Sequence, residues 1–276
     1  MEDMRRLRNS HNSAGQENST SSKIKLRMRV FAGPNGSGKS TIFEEVKHYE
    51  VEGKHIDLGV YVNADDIAKD LRNGIFDVGK YSLMNFDQEV LYNTASKSGL
   101  LSGEFGLKEF KEAIAVENLS ISINIPERVE QVAQILADFL RIRLLEEGRK
   151  FTFETVFSHP SKLDLLLQAF SKGYKVYLYF VGTESPEINK FRVRSRVQDG
   201  GHDVSFEKIE SRYYRSMEML HDAAQASYQA FFFDNSQVGA SNLFAHFKLV
   251  DGKKVWDPID WDKVPQWFYQ YYANKV

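Results

Sequence analysis

The chain has 276 residues, 36 Lys plus Arg against 38 Asp plus Glu for a formal net charge of -2, and no cysteine. That length allows one large domain or two small ones around a proper core. The charge balance argues against a dedicated nucleic-acid binder, and the lack of cysteine excludes disulfides and thiolate metal sites.

No apolar run reaches transmembrane length. Arg5, Arg6 and Arg8 open the chain with no apolar segment after them, so this does not read as a secretory signal, and the cytoplasm is the expected location. Residues 1–22 are polar and read as a disordered tail. The stretch Lys25 to Ala32 then alternates Leu26, Met28 and Val30 as a short buried strand should.

Gly33, Pro34, Asn35, Gly36, Ser37, Gly38, Lys39, Ser40 and Thr41 follow. They meet the pattern G-x-x-x-x-G-K-[ST] between a strand and a helix running from about Lys39 to Tyr49, the context that gives the pattern meaning. Glycines let the backbone curl around a phosphate chain, so that successive N–H groups and the positive helix end point inward. Lys39 would reach the β- and γ-phosphates, and the Ser40 hydroxyl would hold a magnesium ion. A glycine-rich turn without function is the bland alternative.

Gly59 to Asn63 reads as a second strand, and a helix begins near Ile67. Residues 73–125 show weak periodicity, with one helix expected near Leu107 to Val116, and read as an insertion or cap. Pro126 opens a strong helix carrying Val132, Ile135, Leu136, Phe139 and Leu140 at helical spacing. A third strand ends at Glu154, and a helix spans Ser161 to Ser171. A fourth strand, Tyr174 to Val181, is apolar almost throughout, as a central parallel strand should be. Pro186 starts a helix expected to end at Gly200–Gly201, one further helix runs from Phe206 to about Ala226, and Ala230 to Asp234 is a fifth strand. From Phe247 on, a hairpin turning at Asp251–Gly252 precedes an aromatic helix expected to pack on the domain.

Strands alternating with helices predict an α/β fold with a mainly parallel sheet covered on both faces. Ligands in such sheets sit at the carboxyl ends of the strands. That rule gathers the glycine loop with residues 63–66, 154–158, 182–184 and 234–236.

A kinase needs a carboxylate to orient an acceptor hydroxyl and take its proton. Asp65 is the expected base and Asp66 its rival, with one of the two expected to cap the next helix. Glu154 is expected to meet substrate or hold a metal-bound water. Arg192, Arg194 and Arg196 crowd one helix, with Arg192 and Arg196 on one face. With Arg212 on the following helix, they suggest a lid that folds over the nucleotide and offsets charge on the transferred phosphoryl group. His202 lacks companions for a metal site, and Asp203 reads as a helix cap.

These residues together resemble the zeta toxin family of P-loop kinases. The likeness is carried by the glycine loop, by Asn63, Ala64, Asp65, Asp66 and Ile67, by Phe153, Glu154 and Thr155, and by the run from Arg192 and Arg196 through Gly200, Gly201, His202, Asp203 and Val204, with Arg212 and Tyr213. The resemblance implies a three-layer P-loop kinase fold with a helical lid, an insertion and a C-terminal extension. Its expected parts are a kinase domain over 23–246, with the insertion at 73–125 and the lid and following helix at 184–226, and a C-terminal hairpin and helix over 247–276. It implies ATP and Mg2+ as cofactors, Lys39 on the phosphates, Asp65 as base, Glu154 near the substrate and lid arginines at Arg192 and Arg196. Arg212 is a candidate for a further one. It also implies transfer to a sugar hydroxyl of a nucleotide sugar such as UDP-N-acetylglucosamine, and an antitoxin protein as partner. The rival readings are a regulatory ATPase or nucleotide switch without an acceptor, and a kinase of nucleic-acid ends, which the charge balance disfavours. No Asn-Lys-x-Asp guanine motif is present.

Overall fold

The structure is a computed structural model that describes residues 26–83, 86–198, 204–237 and 239–276. The tail expected over 1–22, and the connector Gly200 to Asp203, lie outside the described residues. The described chain forms two compact units, one of residues 26–58 with 154–276 and the other of Gly59–Phe153.

The first unit opens with strand β1 (Arg27–Ala32), the glycine loop, helix α1 (Lys39–Lys47) and a small hairpin of β2 (Glu50–Val51) and β3 (Lys54–His55). The second unit follows with β4 (Val60–Val62), α2 (Ala64–Arg72), β5 (Phe76–Asp77), α3 (Gln88–Lys97), α4 (Leu107–Ala113), β6 (Ile114–Glu117), β7 (Ser120–Ile123) and α5 (Val129–Glu146). Strand β8 (Phe151–Thr155) carries the chain back into the first unit. There it continues as α6 (Pro160–Ser171), β9 (Lys175–Gly182), α7 (Pro186–Gln198), α8 (Phe206–Glu218), α9 (Leu220–Gln225), β10 (Gln229–Asp234), β11 (Asn242–Val250), β12 (Lys253–Trp256) and α10 (Gln266–Tyr271).

In the first unit the strands run in the order β12-β11-β10-β9-β1. Strands β1, β9 and β10 are parallel neighbours, whereas β11 and β12 add an antiparallel edge. In β9, Val176 through Val181 are all buried, because both faces of this central strand are covered. A ladder of stacked rings crosses one face: Phe31, Tyr179, Phe231 and His246 stand at matched register. Their successive centroids are 4.5, 4.8 and 4.3 Å apart. Phe43 of α1 meets Phe31 edge-on at 5.4 Å, which ties the helix behind the glycine loop to that ladder. Such aromatic pairs add roughly 0.5–1.5 kcal/mol each beyond the area they bury.

In the second unit β4 pairs parallel with β8, Val62 level with Phe153. Val132, Ile135, Leu136, Phe139 and Leu140 of α5 are all fully buried. Each such side chain contributes roughly 1.5–3 kcal/mol when removed from water. The 73–125 stretch is more regular than its periodicity suggests. It holds α3, α4 and an antiparallel three-stranded sheet in the order β5-β7-β6. The helix expected to reach Val116 stops at Ala113, where Ile114 turns extended and begins β6.

Two other boundaries differ from expectation. The helix expected over Phe206 to Ala226 is two helices parted at Met219. The C-terminal extension expected to start at 247 cuts β11 in mid-strand, since Asn242–Val250 pairs along β10 as part of the main sheet. Trp267, Phe268 and Tyr272 are buried against Phe180, Phe232 and Phe244. No helix among the described residues is long and apolar enough to cross a membrane.

Candidate functional site

The glycine loop lies at the carboxyl end of β1, where the backbone turns sharply into α1. Gly33 holds φ +144, and a methyl group there would fall 2.2 Å from the Val181 carbonyl oxygen. Gly38, the residue that starts α1, holds φ +97. Both conformations are strained for a residue with a Cβ, which accounts for glycine at these places. The Ser37 amide donates to the Pro34 carbonyl at 3.3 Å and closes the turn. The Lys39 ammonium donates to the same carbonyl at 2.8 Å, so it lies across the loop.

Ser40 Oγ donates to Glu154 Oε2 at 2.8 Å. Glu154 is 8% exposed, a nearly buried carboxylate at the end of β8. One of its oxygens is thus committed to the residue expected to ligate metal. A serine hydroxyl and one carboxylate are hard oxygen donors of the kind magnesium takes in phosphoryl-transfer sites, where phosphates and waters complete the shell. The residues present therefore fit the ion. Shortly after Glu154, buried Phe157 takes a left-handed backbone (φ 56), strained for a bulky side chain. Its amide donates to Thr155 Oγ1 at 3.1 Å.

Asparagine side chains brace the loop from two sides. Asn189 Nδ2 of α7 donates to the Asn35 carbonyl at 2.5 Å, and its Oδ1 accepts from Thr183 Oγ1 at 2.5 Å. The Thr183 carbonyl in turn accepts from Tyr213 Oη at 2.6 Å. Burial raises the Tyr213 pKa, so this hydroxyl stays a neutral donor. After β10, Asn235 Nδ2 donates to the Ser37 carbonyl at 2.7 Å. Asp234 Oδ1 accepts from Ser236 Oγ at 2.6 Å and from Trp267 Nε1 at 2.9 Å, which fixes the same segment to the C-terminal helix.

The arginines part company. Arg192 spends its fork on backbone, donating to the Asn235 carbonyl at 2.6 Å and the Gln237 carbonyl at 3.1 Å. It therefore holds the segment after β10, a role the lid expectation did not include. Burial lowers its pKa, opposed by Asp234. Arg194 and Arg196 are exposed on α7. Arg212 is half-buried on α8 with no hydrogen-bond or ion-pair partner among the described residues, and burial together with Arg215 lowers its pKa.

Asp65 and Asp66 lie in the second unit, exposed in the first turn of α2. Neither caps that helix. Asn63 does, accepting from the Asp65 amide at 3.0 Å, because it stands immediately before Ala64, the first residue of the helix. Asn63 Nδ2 also donates to Tyr61 Oη at 3.0 Å. With β4 and β8 parallel, both aspartates follow the carboxyl end of a strand. Ser205 caps α8, accepting from the Lys208 amide at 3.4 Å, in the place expected of Asp203, which lies outside the described residues.

Sequence reading missed Asn189, and it named Tyr213 and the 182–184 segment that holds Thr183 without giving either residue a role. One signal was available: Pro186, Asn189 and Val193 form the buried face of α7, and an amide at a core position of a helix must find polar partners.

No family model matches the chain. It is 28% identical to an uncharacterized protein of Haemophilus influenzae over 119 residues, 41% of this chain and 85% of that one. Among solved structures it is similar to a chain of the AvrRxo1-ORF1:-ORF2 crystal structure with ATP, at TM-score 0.51 and 14% identity, covering 94% of this chain and 67% of that one. A looser likeness, too loose to carry fold or function, is to the PezAT chromosomal toxin-antitoxin system of Streptococcus pneumoniae, at TM-score 0.41 and 13% identity over 87% of this chain and 81% of that one. What this chain shares with the AvrRxo1-ORF1:-ORF2 structure is its fold, a mixed α/β architecture with a mainly parallel sheet.

Proposed function

We propose that this protein is an ATP-dependent kinase of the zeta toxin type, transferring the γ-phosphoryl group to a hydroxyl of a small molecule. A nucleotide sugar such as UDP-N-acetylglucosamine is the acceptor we infer from the family resemblance. The observation that carries the reading is the Ser40–Glu154 hydrogen bond beneath a loop crossed by Lys39. That trio is what a phosphate loop needs to seat a triphosphate with its metal. The AvrRxo1-ORF1:-ORF2 structure, which shares the fold, was solved with ATP.

In this reading the loop amides and Lys39 bind the β- and γ-phosphates, and Ser40 with Glu154 hold magnesium, which when bound offsets the charge of the phosphate oxygens. Asp65 accepts the acceptor hydroxyl's proton as its oxygen bonds to the γ-phosphorus. The bond to the β–γ bridging oxygen breaks, and ADP leaves. Arg212 has no acceptor for its fork among the described residues, so it is a better candidate than Arg192 to meet the charge on the transferred group. Arg196 remains a second candidate. A protein partner of antitoxin type belongs to the same reading.

Mass spectrometry of a metabolite pool incubated with the protein, ATP and Mg2+ tests it, with Lys39→Ala as the inactive control. A new phosphorylated metabolite made by the wild type alone is the expected result. ATP breakdown to free phosphate that no added metabolite changes would replace the kinase with the regulatory ATPase. Asp65→Asn is expected to keep ATP binding and lose at least about 100-fold in transfer. If Asp66→Asn shows that loss and Asp65→Asn does not, the base is Asp66.

A further inference from the structure

We propose that Asn189 and Asn235 are positioning residues that aim the amides of the phosphate loop at the nucleotide's phosphates. The inference rests on the nucleotide-binding half of the reading above and extends it to residues outside the glycine motif. In a planar trans peptide the C=O of one residue and the N–H of the next point in opposite directions. Asn189 Nδ2 holds the Asn35 carbonyl at 2.5 Å, which fixes the direction of the Gly36 N–H. Asn235 Nδ2 holds the Ser37 carbonyl at 2.7 Å, which fixes the Gly38 N–H. Two alternate carbonyls are drawn outward, so two alternate N–H groups face the other way, into the cradle where phosphate oxygens would sit.

The glycines belong to this device. Gly36 and Gly38 have φ +71 and +97, and a methyl group on them would fall 2.9 Å from the Asn189 carbonyl oxygen and 2.1 Å from Asn235 Nδ2. The space at each glycine is thus the space its asparagine occupies.

Both clamps are themselves anchored. Asn189 is fully buried, and its Oδ1 accepts from Thr183, whose carbonyl takes the Tyr213 hydroxyl. The Asn235 amide donates to the Gly182 carbonyl at 3.0 Å, and its own carbonyl accepts from Arg192. Since the Asn35 and Ser37 carbonyls can only accept, each side-chain amide turns its nitrogen toward the loop. A loop held this way needs no reorganisation when phosphate arrives, which is how oriented dipoles gain their effect.

The test is calorimetric titration of the full chain with Mg-ADP and with AMP, beside a thermal melt of each variant. ADP carries the β-phosphate that the loop would cradle, and AMP does not. Asn235→Ala is expected to weaken ADP binding about tenfold, the size of one lost hydrogen bond. Asn235→Asp should weaken it further by setting a carboxylate against a carbonyl. AMP affinity should stay within about twofold of wild type. Asn189→Asp, matched in size for a fully buried position, should repeat the ADP loss. Equal weakening of ADP and AMP would reduce both asparagines to structural supports and overturn the proposal, as would unchanged ADP binding in folded variants. A wild type that binds no ADP would instead remove the nucleotide reading itself, and this inference with it.

Discussion

At the scale of single residues, two charged groups carry opposite electrostatic problems. Glu154 is a nearly buried carboxylate relieved by the Ser40 hydroxyl. Glu154→Gln keeps an oxygen that can accept from Ser40 while removing the charge that attracts a cation. The expected outcome is an unchanged melting temperature and a magnesium requirement raised about tenfold, read from turnover against Mg2+ concentration. Arg212 is a half-buried cation without a carboxylate among the described residues, crowded by Arg215. Burying a charge unpaired costs stability. Arg212→Met should therefore hold or raise stability, by about 1 kcal/mol at most, while lowering turnover at least tenfold. A denaturant titration and an activity assay on the same preparation check it, and a variant that is less stable yet fully active would contradict both halves.

At the scale of elements, the glycine loop is held by parts distant in the chain. Helix α7 supplies Asn189, the segment after β10 supplies Asn235, and α10 pins that segment through Trp267. Trp267 is 1% exposed, lies against Phe180 and Phe244, and a methyl on Gly182 would sit 2.6 Å from its ring. Trp267→Ala is expected to cost about 3–5 kcal/mol in unfolding free energy, since the indole leaves a cavity and Asp234 loses a donor. Elements with a clear apolar period or a marking motif were legible from sequence: β1, α1, α5, β9 and the β11–β12 turn. Helix α3 and the β6–β7 hairpin escaped because each buries too few apolar side chains to define a period. The break at Met219 has the same character, a local change of direction with no glycine or proline to mark it.

At the scale of the whole molecule, tyrosine burial sets the behaviour in alkali. Burial pushes Tyr179 and Tyr174 each up to about 12, with Arg29 opposing the shift at Tyr179. Tyr81, Tyr213 and Tyr272 are raised too, chiefly by burial. The unfolded chain releases these protons near pH 10. Between pH 10 and 12 the unfolded state therefore binds fewer protons than the folded one, and stability falls as pH rises. Tyr179, fully buried, accounts for roughly 2–3 kcal/mol of that loss by itself. Unfolding free energies from denaturant titrations at pH 9 and pH 11.5 should differ by about 2 kcal/mol or more, with the lower midpoint at pH 11.5, and Tyr179→Phe should reduce the difference. Equal midpoints would contradict the burial account.

What the amino-acid order alone determined is whatever acts over a few neighbouring residues. The glycine loop is one such feature, since its unusual dihedrals and its lysine and serine sit in nine consecutive positions. The alternation of strands and helices is another, because each element writes its own period. Only the tertiary structure decided which carboxylate meets Ser40, which arginine is spent on backbone and which amides orient the loop. Ser40 lies 114 positions from Glu154, Asn35 lies 154 from Asn189, and Ser37 lies 198 from Asn235. Hydrogen bonds of 2.5 to 2.8 Å across such separations depend on how the strands pair and the helices pack, and no local pattern encodes that.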